Sequence, residues 1–305
     1  MSEAACGRIP CGGPASSALG VVPYETGGVV RRALRWVPRG SARPGAPVVL
    51  LHGFSQVPGS WGEVAPLLAE SLGREVWAPE YVGPGDDAEP VPDGSSYSFD
   101  ALVEAAAGFC RTCGAPVALV GYSMGGRVAL GVARRHPEAL ASLVLENAGL
   151  GPAGVEERAV AARADAEVSR RLRSETLSNF MDWWEERPVF ASQRGLPADR
   201  RALLRAGRMD NDPAELALVV EGAGKHAMPD LSGVPGELAA RGVPTLYLAG
   251  ELDPKYAGVA RVLACEGVCA RVLPGVGHDA HFEDAGLFCA TVSAWLSSGA
   301  SDRPA

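Results

Sequence analysis

No stretch of the 305-residue sequence runs to about 18 apolar residues, so no transmembrane helix is expected. The first 20 residues lack the basic start and continuous apolar core of a signal peptide. Rich in Gly, Ala, Ser and Cys, they read as a flexible extension, and the expected location is the cytoplasm. Positive charge is in deficit: 28 Lys and Arg face 36 Asp and Glu, a net charge of −8. That balance opposes binding to nucleic acid or to an anionic membrane. It leaves room for a small anionic substrate, because a pocket can be basic while the surface is acidic. Metal-ligand spacings are scarce as well. Six of the seven cysteines form local pairs, Cys6/Cys11, Cys110/Cys113 and Cys265/Cys269. Cys110-Arg-Thr-Cys113 has a zinc or redox spacing, but no second CxxC and no HxxxH accompanies it, so reduced thiols and no metal are expected. No internal repeat is found.

What is present is an ordinary globular composition, 47% hydrophobic and 21% charged. Apolar runs of strand length alternate with helix-like stretches, the signature of βαβ units and a parallel sheet. Strands are expected at Val29–Val37, Val48–Leu51, Glu75–Pro79, Val117–Val120, Ser142–Leu145, Thr245–Ala249 and Ala270–Leu273. Helices are expected at Trp61–Leu72, Phe99–Cys113 with Ser98 as N-cap, Arg127–His136 and Ala285–Leu296. From Val155 to Gly224 the sequence is Arg-, Glu- and Ala-rich and helical, with no convincing strand. The chain therefore divides into an extension (1–20), an α/β core (21–150 and 230–299) and a helical cap inserted in it (151–229).

Gly121-Tyr122-Ser123-Met124-Gly125 fits G-x-S-x-G between an apolar strand and a helix, the context in which the glycines permit a sharp turn and lift the serine out of the sheet. Ser123 needs a base, and His278 follows the last strand. Asp253, after strand Thr245–Ala249, completes the order Ser–Asp–His; Glu251 in the same loop is the alternative. His52-Gly53-Phe54 follows Val48–Leu51, so the amides of Phe54 and Met124 are candidates for an oxyanion hole. Of the other histidines, His136 is expected at a helix C-terminus, His226 in solvent at the exit of the cap, and His281 near the site or in a structural role.

Several stretches together resemble one family, the 2-succinyl-6-hydroxy-2,4-cyclohexadiene-1-carboxylate synthases of menaquinone biosynthesis, over about Pro47 to Trp295. They are Leu51–Gln56 (LHGFSQ), Gly121–Leu130 (GYSMGGRVAL), Phe180–Ser192 (FMDWWEERPVFAS), Gly250–Tyr256 (GELDPKY) and Gly277–Asp284 (GHDAHFED). The resemblance implies an α/β-hydrolase fold and a lyase that eliminates pyruvate from 2-succinyl-5-enolpyruvyl-6-hydroxy-3-cyclohexene-1-carboxylate. It implies no cofactor, with Ser123 as the base, assisted by His278 and Asp253. Such a polycarboxylate substrate calls for fixed cations. Arg127, one helical turn after Ser123, can face the same pocket. Arg208, Trp184 (or Trp183, if the register is counted from Phe180) and Tyr122 match the family's substrate contacts.

The sequence departs from the family in two places. A further substrate arginine, expected in the helix after the strand ending near Glu146, falls on Ala161; Arg163 or Arg158 is left to supply it. The loop common in such folds after the strand Glu75–Pro79 is replaced by Pro79-Glu80-Tyr81-Val82-Gly83-Pro84-Gly85. Two other functions fit the same motifs: an esterase, thioesterase or carbon–carbon hydrolase using the same triad, and a non-catalytic ligand-binding protein of this fold.

Overall fold

A computed structural model describes residues 18–26, 28–40, 43–83 and 94–298. The first three strands are β1 (Ala18–Thr26), β2 (Val29–Val37) and β3 (Val48–Leu51). Helix α1 (Val64–Leu72), strand β4 (Val76–Pro79), helix α2 (Phe99–Thr112), strand β5 (Val117–Tyr122), helix α3 (Met124–Arg135) and strand β6 (Leu140–Glu146) follow. Four α-helices come next: α4 (Val155–Ser174), α5 (Leu177–Glu185), α6 (Ala198–Met209) and α7 (Pro213–Ala223). The chain closes with α8 (Val234–Ala240), β7 (Thr245–Gly250), α9 (Pro254–Cys265), β8 (Cys269–Leu273), α10 (Ala280–Glu283) and α11 (Ala285–Ser297).

The eight strands form one sheet in the order β1-β2-β4-β3-β5-β6-β7-β8. β1 and β2 are antiparallel, β2 is antiparallel to β4, and every later pair is parallel. Central strands are mostly apolar because both faces are covered; Ser142, Glu146 and Thr245 are the buried polar exceptions in β6 and β7. Val49, Leu51, Leu119, Leu143, Leu145 and Tyr247 pack on one side with α2, α3 and α9, while Val48, Leu50, Val120, Val144, Leu246 and Leu248 pack on the other with α1 and α11.

The expected strands and helices are all present, with small shifts. Trp61 ends a short 3-10 turn ahead of α1, and α3 begins at Met124, three residues before Arg127. Ser98 caps α2, its hydroxyl accepting from the Ala101 amide at 3.2 Å. One strand was not foreseen. β1 already includes residues 18–20, so the extension expected over 1–20 is shorter than expected; residues 1–17, with Cys6 and Cys11, lie outside the described residues, as do Pro84 and Gly85. Between β6 and β7, neighbours in the sheet, the chain leaves for α4–α7; of these α4, α5 and α7 share a small apolar cluster built on Val168, Leu172, Phe180, Met181, Leu216 and Val220. Phe54, from the loop after β3, packs against that cluster and ties it to the sheet. Among the described residues no helix is long and apolar enough to cross a membrane.

Candidate active site

The site lies beyond the carboxyl ends of β3 and β5, where the strand order reverses and a crevice opens in sheets of this kind. At the end of β5 the backbone turns through Ser123 at φ 49°, ψ −107° before α3 begins. A non-glycine residue there is strained, and close packing of its neighbours holds it. A Cβ on Gly121 would stand 2.5 Å from the Gly125 carbonyl oxygen, and one on Gly125 would stand 2.2 Å from that of Leu51. The glycines of the motif thus let α3 approach both β5 and β3. The Ser123 amide is spent on the Glu146 carbonyl at 2.9 Å, which leaves the hydroxyl directed at the cavity.

Asp253 follows β7 and His278 follows β8, and the histidine bridges the acid to the serine. His278 Nε2 lies 3.0 Å from Ser123 Oγ, and His278 Nδ1 lies 2.7 Å from Asp253 Oδ2. With Nδ1–H donating to the carboxylate, Nε2 is free to accept the serine proton. Burial holds the imidazole below its ordinary pKa even though Asp253 pulls it upward, so it is neutral and basic at pH 7. Glu251, the alternative acid, is exposed and accepts instead from the Gly275 amide at 2.9 Å. The loop carrying His278 is fixed by Asn147, whose Nδ2 donates to the His278 carbonyl at 2.7 Å while its Oδ1 accepts from Gly250 N at 3.2 Å. Asn147 adopts φ 46° and carried no local sequence signal.

The triad opens on a cavity of about 440 Å³ whose wall includes Phe54, Tyr122, Met124, Arg127, Trp184 and Arg208. Met124 opens α3, so its amide is among those with no intrahelical acceptor; the Phe54 amide donates to no protein acceptor among the described residues. The Tyr122 ring lies between His278 and His281, with centroids 5.4 and 4.8 Å away. Trp184 packs edge-on to Phe54 at 5.3 Å, whereas Trp183 is turned away, under the guanidinium groups of Arg171 and Arg187. Arg127 is buried, and its Nη1 donates to the Ala223 carbonyl at 3.1 Å. Arg208 is buried too, bonded to Gln193 at 3.1 Å and paired with Glu185 at 3.2 Å.

Two expectations for the cap are corrected. Arg163 is exposed and off the cavity wall; the positions of α4 that line the cavity are Ala164, Asp165 and Val168. Arg158 also points elsewhere, donating to the carbonyls of His226 and, at 2.9 Å, Met228. The helix is rotated relative to an ungapped register, and its arginines serve the cap's exit or solvent. His226 is half-buried, its Nδ1 on Asp165 Oδ2 at 2.9 Å. Three further cations missed in the sequence lie on the wall: Arg187, Lys225 and Lys255. Arg187 and Lys255 lie inside the stretches Phe180–Ser192 and Gly250–Tyr256 without having been singled out there, and Lys225 lies in none of the quoted stretches.

Behind the triad, His281 is wholly enclosed, its Nδ1 2.8 Å from Glu146 Oε2 and 3.2 Å from Asp279 Oδ1. Asp279 accepts from Gln56 Nε2 at 3.1 Å, and Gln56 Oε1 accepts from the Gly53 amide at 3.2 Å. This chain of bonds joins the loop after β3 to the loop of His278. Glu146, Asp279 and His281 bring ligand atoms within 4.8 Å of one another, a spacing that could hold a metal ion. The nitrogen that would ligate already sits between two carboxylates, whose charges raise the imidazole above its ordinary value. Cys110 and Cys113 are free, and burial pushes the Cys110 thiol up to about 12, out of reach of thiolate chemistry.

Residues 48–291 match the family model described as the alpha/beta hydrolase family. The 2-succinyl-6-hydroxy-2,4-cyclohexadiene-1-carboxylate synthase of Escherichia coli O1:K1 / APEC is 35% identical over 248 residues, covering 79% of this chain and 90% of its own. The protein of the same name from Shigella sonnei (strain Ss046) is 36% identical over 244 residues, with the same coverage. Among solved structures, MenH from S. aureus superposes with a TM-score of 0.77 at 25% identity, covering 87% of this chain and 97% of that one. This chain belongs to the alpha/beta hydrolase family and, within it, to the 2-succinyl-6-hydroxy-2,4-cyclohexadiene-1-carboxylate synthases.

Proposed function

We propose that the protein is a lyase that eliminates pyruvate from 2-succinyl-5-enolpyruvyl-6-hydroxy-3-cyclohexene-1-carboxylate to give 2-succinyl-6-hydroxy-2,4-cyclohexadiene-1-carboxylate. The observation that carries this reading is a hydrogen-bonded Ser–His–Asp set facing a cavity walled by Arg127 and Arg208 in a chain of net charge −8. A substrate with several carboxylates fits that cavity; a neutral ester has no need of its cations.

The chemistry follows from the connectivity of the substrate. The ring proton at the carbon bearing the succinyl group is acidified by the adjacent ketone. Ser123, giving its own proton to His278 Nε2, removes it. The electron pair forms a new ring double bond, the existing double bond shifts by one position, and the carbon–oxygen bond to enolpyruvate breaks. Negative charge gathers on the ketone oxygen as the proton leaves, and the Phe54 and Met124 amides are placed to receive it. The imidazolium, stabilised by Asp253, can then protonate the departing oxygen, and the enol relaxes to pyruvate. The elimination is redox-neutral and consumes no water. Arg127 and Arg208 bind the carboxylates through charge-assisted bonds; Tyr122 and Trp184 close the apolar sides of the ring.

Incubation with the enzymatically generated substrate should release pyruvate in step with the ultraviolet absorbance of the conjugated diene. Turnover of simple esters with no pyruvate from the same preparation would assign the triad to acyl transfer and end the lyase reading.

A further inference from the structure

Only two of the chain's 28 basic residues are lysines, Lys225 and Lys255, and both lie on the cavity wall. The elimination derived above uses neither. Lys225 follows α7 on a segment that α4 holds on both sides. Before it, Gly224 is packed so closely that a Cβ would stand 2.4 Å from the Val220 carbonyl oxygen and 2.5 Å from Asp165 Oδ2. After it, His226 gives its amide (3.0 Å) and its Nδ1 (2.9 Å) to that same Asp165 oxygen. Arg158 then takes the carbonyls of His226 and, at 2.9 Å, Met228. Asp165 and Arg158 thus fix the backbone that presents Lys225, whose own side chain forms no ion pair among the described residues.

The surroundings of Lys225 are rich in positive charge. It is open to the cavity yet surrounded by protein. Tyr256 packs its ring on His278, with centroids 5.0 Å apart, and Lys255 Nζ stands 5.0 Å from the other end of this contact, over the Tyr256 ring. Burial alone would raise the Tyr256 phenol, but the charges of Lys225, Lys255 and Arg127 outweigh it and hold the phenol below its ordinary value. Tyr256 draws the Lys225 ammonium up; burial and the like charges of Lys255 and Arg127 press it down by more. Asp165, whose charge also draws the Lys225 ammonium up, is already engaged by His226. Arg127 is buried with no carboxylate partner among the described residues, and Lys225 and Lys255 stand exposed on the same cavity wall, so positive charge gathered there favours an incoming anion.

We infer that Arg127, Lys225 and the Tyr256 hydroxyl form a carboxylate subsite beside His278, with Lys255 at its rim and Lys225 as its mobile clamp. This rests on the polycarboxylate reading of the cavity. Arg127 offers a rigid fork for a carboxylate, and the flexible stem of a lysine can follow the group as the ring rearranges. Asp165 is a positioning residue, acting through the backbone of Lys225.

Because the chain has two lysines, each amine can be followed separately by mass spectrometry after reductive methylation. The probe is 2-succinylbenzoate, which bears a ring carboxylate and a succinyl carboxylate. Saturating probe should slow labelling of Lys225 by about tenfold or more. Lys225→Met should weaken probe binding roughly ten- to hundredfold in calorimetry and raise KM for the enolpyruvyl substrate by a similar factor, with kcat changed less. Lys225→Arg should recover most of the loss, and both variants should melt like the wild type. Labelling indifferent to the probe, wild-type affinity in Lys225→Met, or no binding of the probe at millimolar concentration each overturns the subsite. Protection of Lys225 without pyruvate release would retire the lyase reading and leave the subsite standing; pyruvate release with Lys225 unprotected would do the reverse.

Discussion

Arg127 is a buried guanidinium whose hydrogen-bond partner is a backbone carbonyl, that of Ala223, and not a carboxylate. Burial lowers its pKa, so its charge stays unbalanced until an anionic ligand arrives. Arg208 differs, since Glu185 already offsets part of its charge. Arg127→Ala should therefore lower kcat/KM for the carboxylated substrate by ~2–4 kcal/mol of transition-state binding, while the melting temperature stays near that of the wild type. Steady-state kinetics on the purified variant would show it; an unchanged kcat/KM contradicts the clamp. Legibility at this scale followed locality. Ser123, Asp253 and His278 each sit in a short stretch whose glycines and flanking strand define a turn, so their places could be read one stretch at a time. Lys225 and Asn147 act only through partners far away in the chain, and Arg163 was misplaced because a helix register cannot be carried across an insertion without its packing.

Among elements, the turn from β5 into α3 is the most tightly determined. Its glycines meet backbone, which cannot rotate aside as a side chain can. In Gly125→Ala the new methyl would stand 2.2 Å from the Leu51 oxygen and 2.6 Å from the His52 oxygen. Either α3 moves away from β3 or β3 bends, and both disturb Ser123 and the Phe54 loop together. Overpacking of this kind should destabilise the protein by about 3 kcal/mol and remove most activity, as urea unfolding and pyruvate release would record. A melting curve superimposable on the wild type would mean that the turn has slack the distances deny. The central strands were legible because burial on both faces forces continuous apolar runs. β1 was not, and the reason is its place at the sheet's edge: Leu19 and Val21 are exposed and Pro23 interrupts the pattern, as an edge strand tolerates. The helices of the cap were legible as helices, while the faces they turn to the cavity were not, because their apolar cluster is small and shared with Phe54 from the core.

Across the whole molecule, buried titratable groups divide into two sets with opposite effects on folding. Burial lowers His52 to about 4 and also lowers His278. The unfolded chain binds those protons more readily, so stability is lost as pH falls below the ordinary imidazole value of 6.5. The enclosed group behind the triad acts the other way. Burial raises Asp279 from 3.8 to about 6, so the folded state keeps that proton longer than the unfolded chain does. For His281 burial acts downward, but Glu146 and Asp279 outweigh it and raise the imidazole; its stabilisation is full below 6.5 and is lost as pH rises through the raised value. Stability should therefore peak near pH 6 and decline on both sides. Asp279→Asn keeps an oxygen for the Gln56 bond but removes one of the charges that raise His281, so its decline above pH 6.5 should be shallower than that of the wild type; the proton that Asp279 holds between 3.8 and about 6 no longer offsets His52 and His278, so its acid limb should be steeper. Melting temperatures measured across this range test both limbs at once. Parallel alkaline slopes for the two proteins would show that the bonds joining Glu146, His281, Asp279 and Gln56 do not couple the fold to pH.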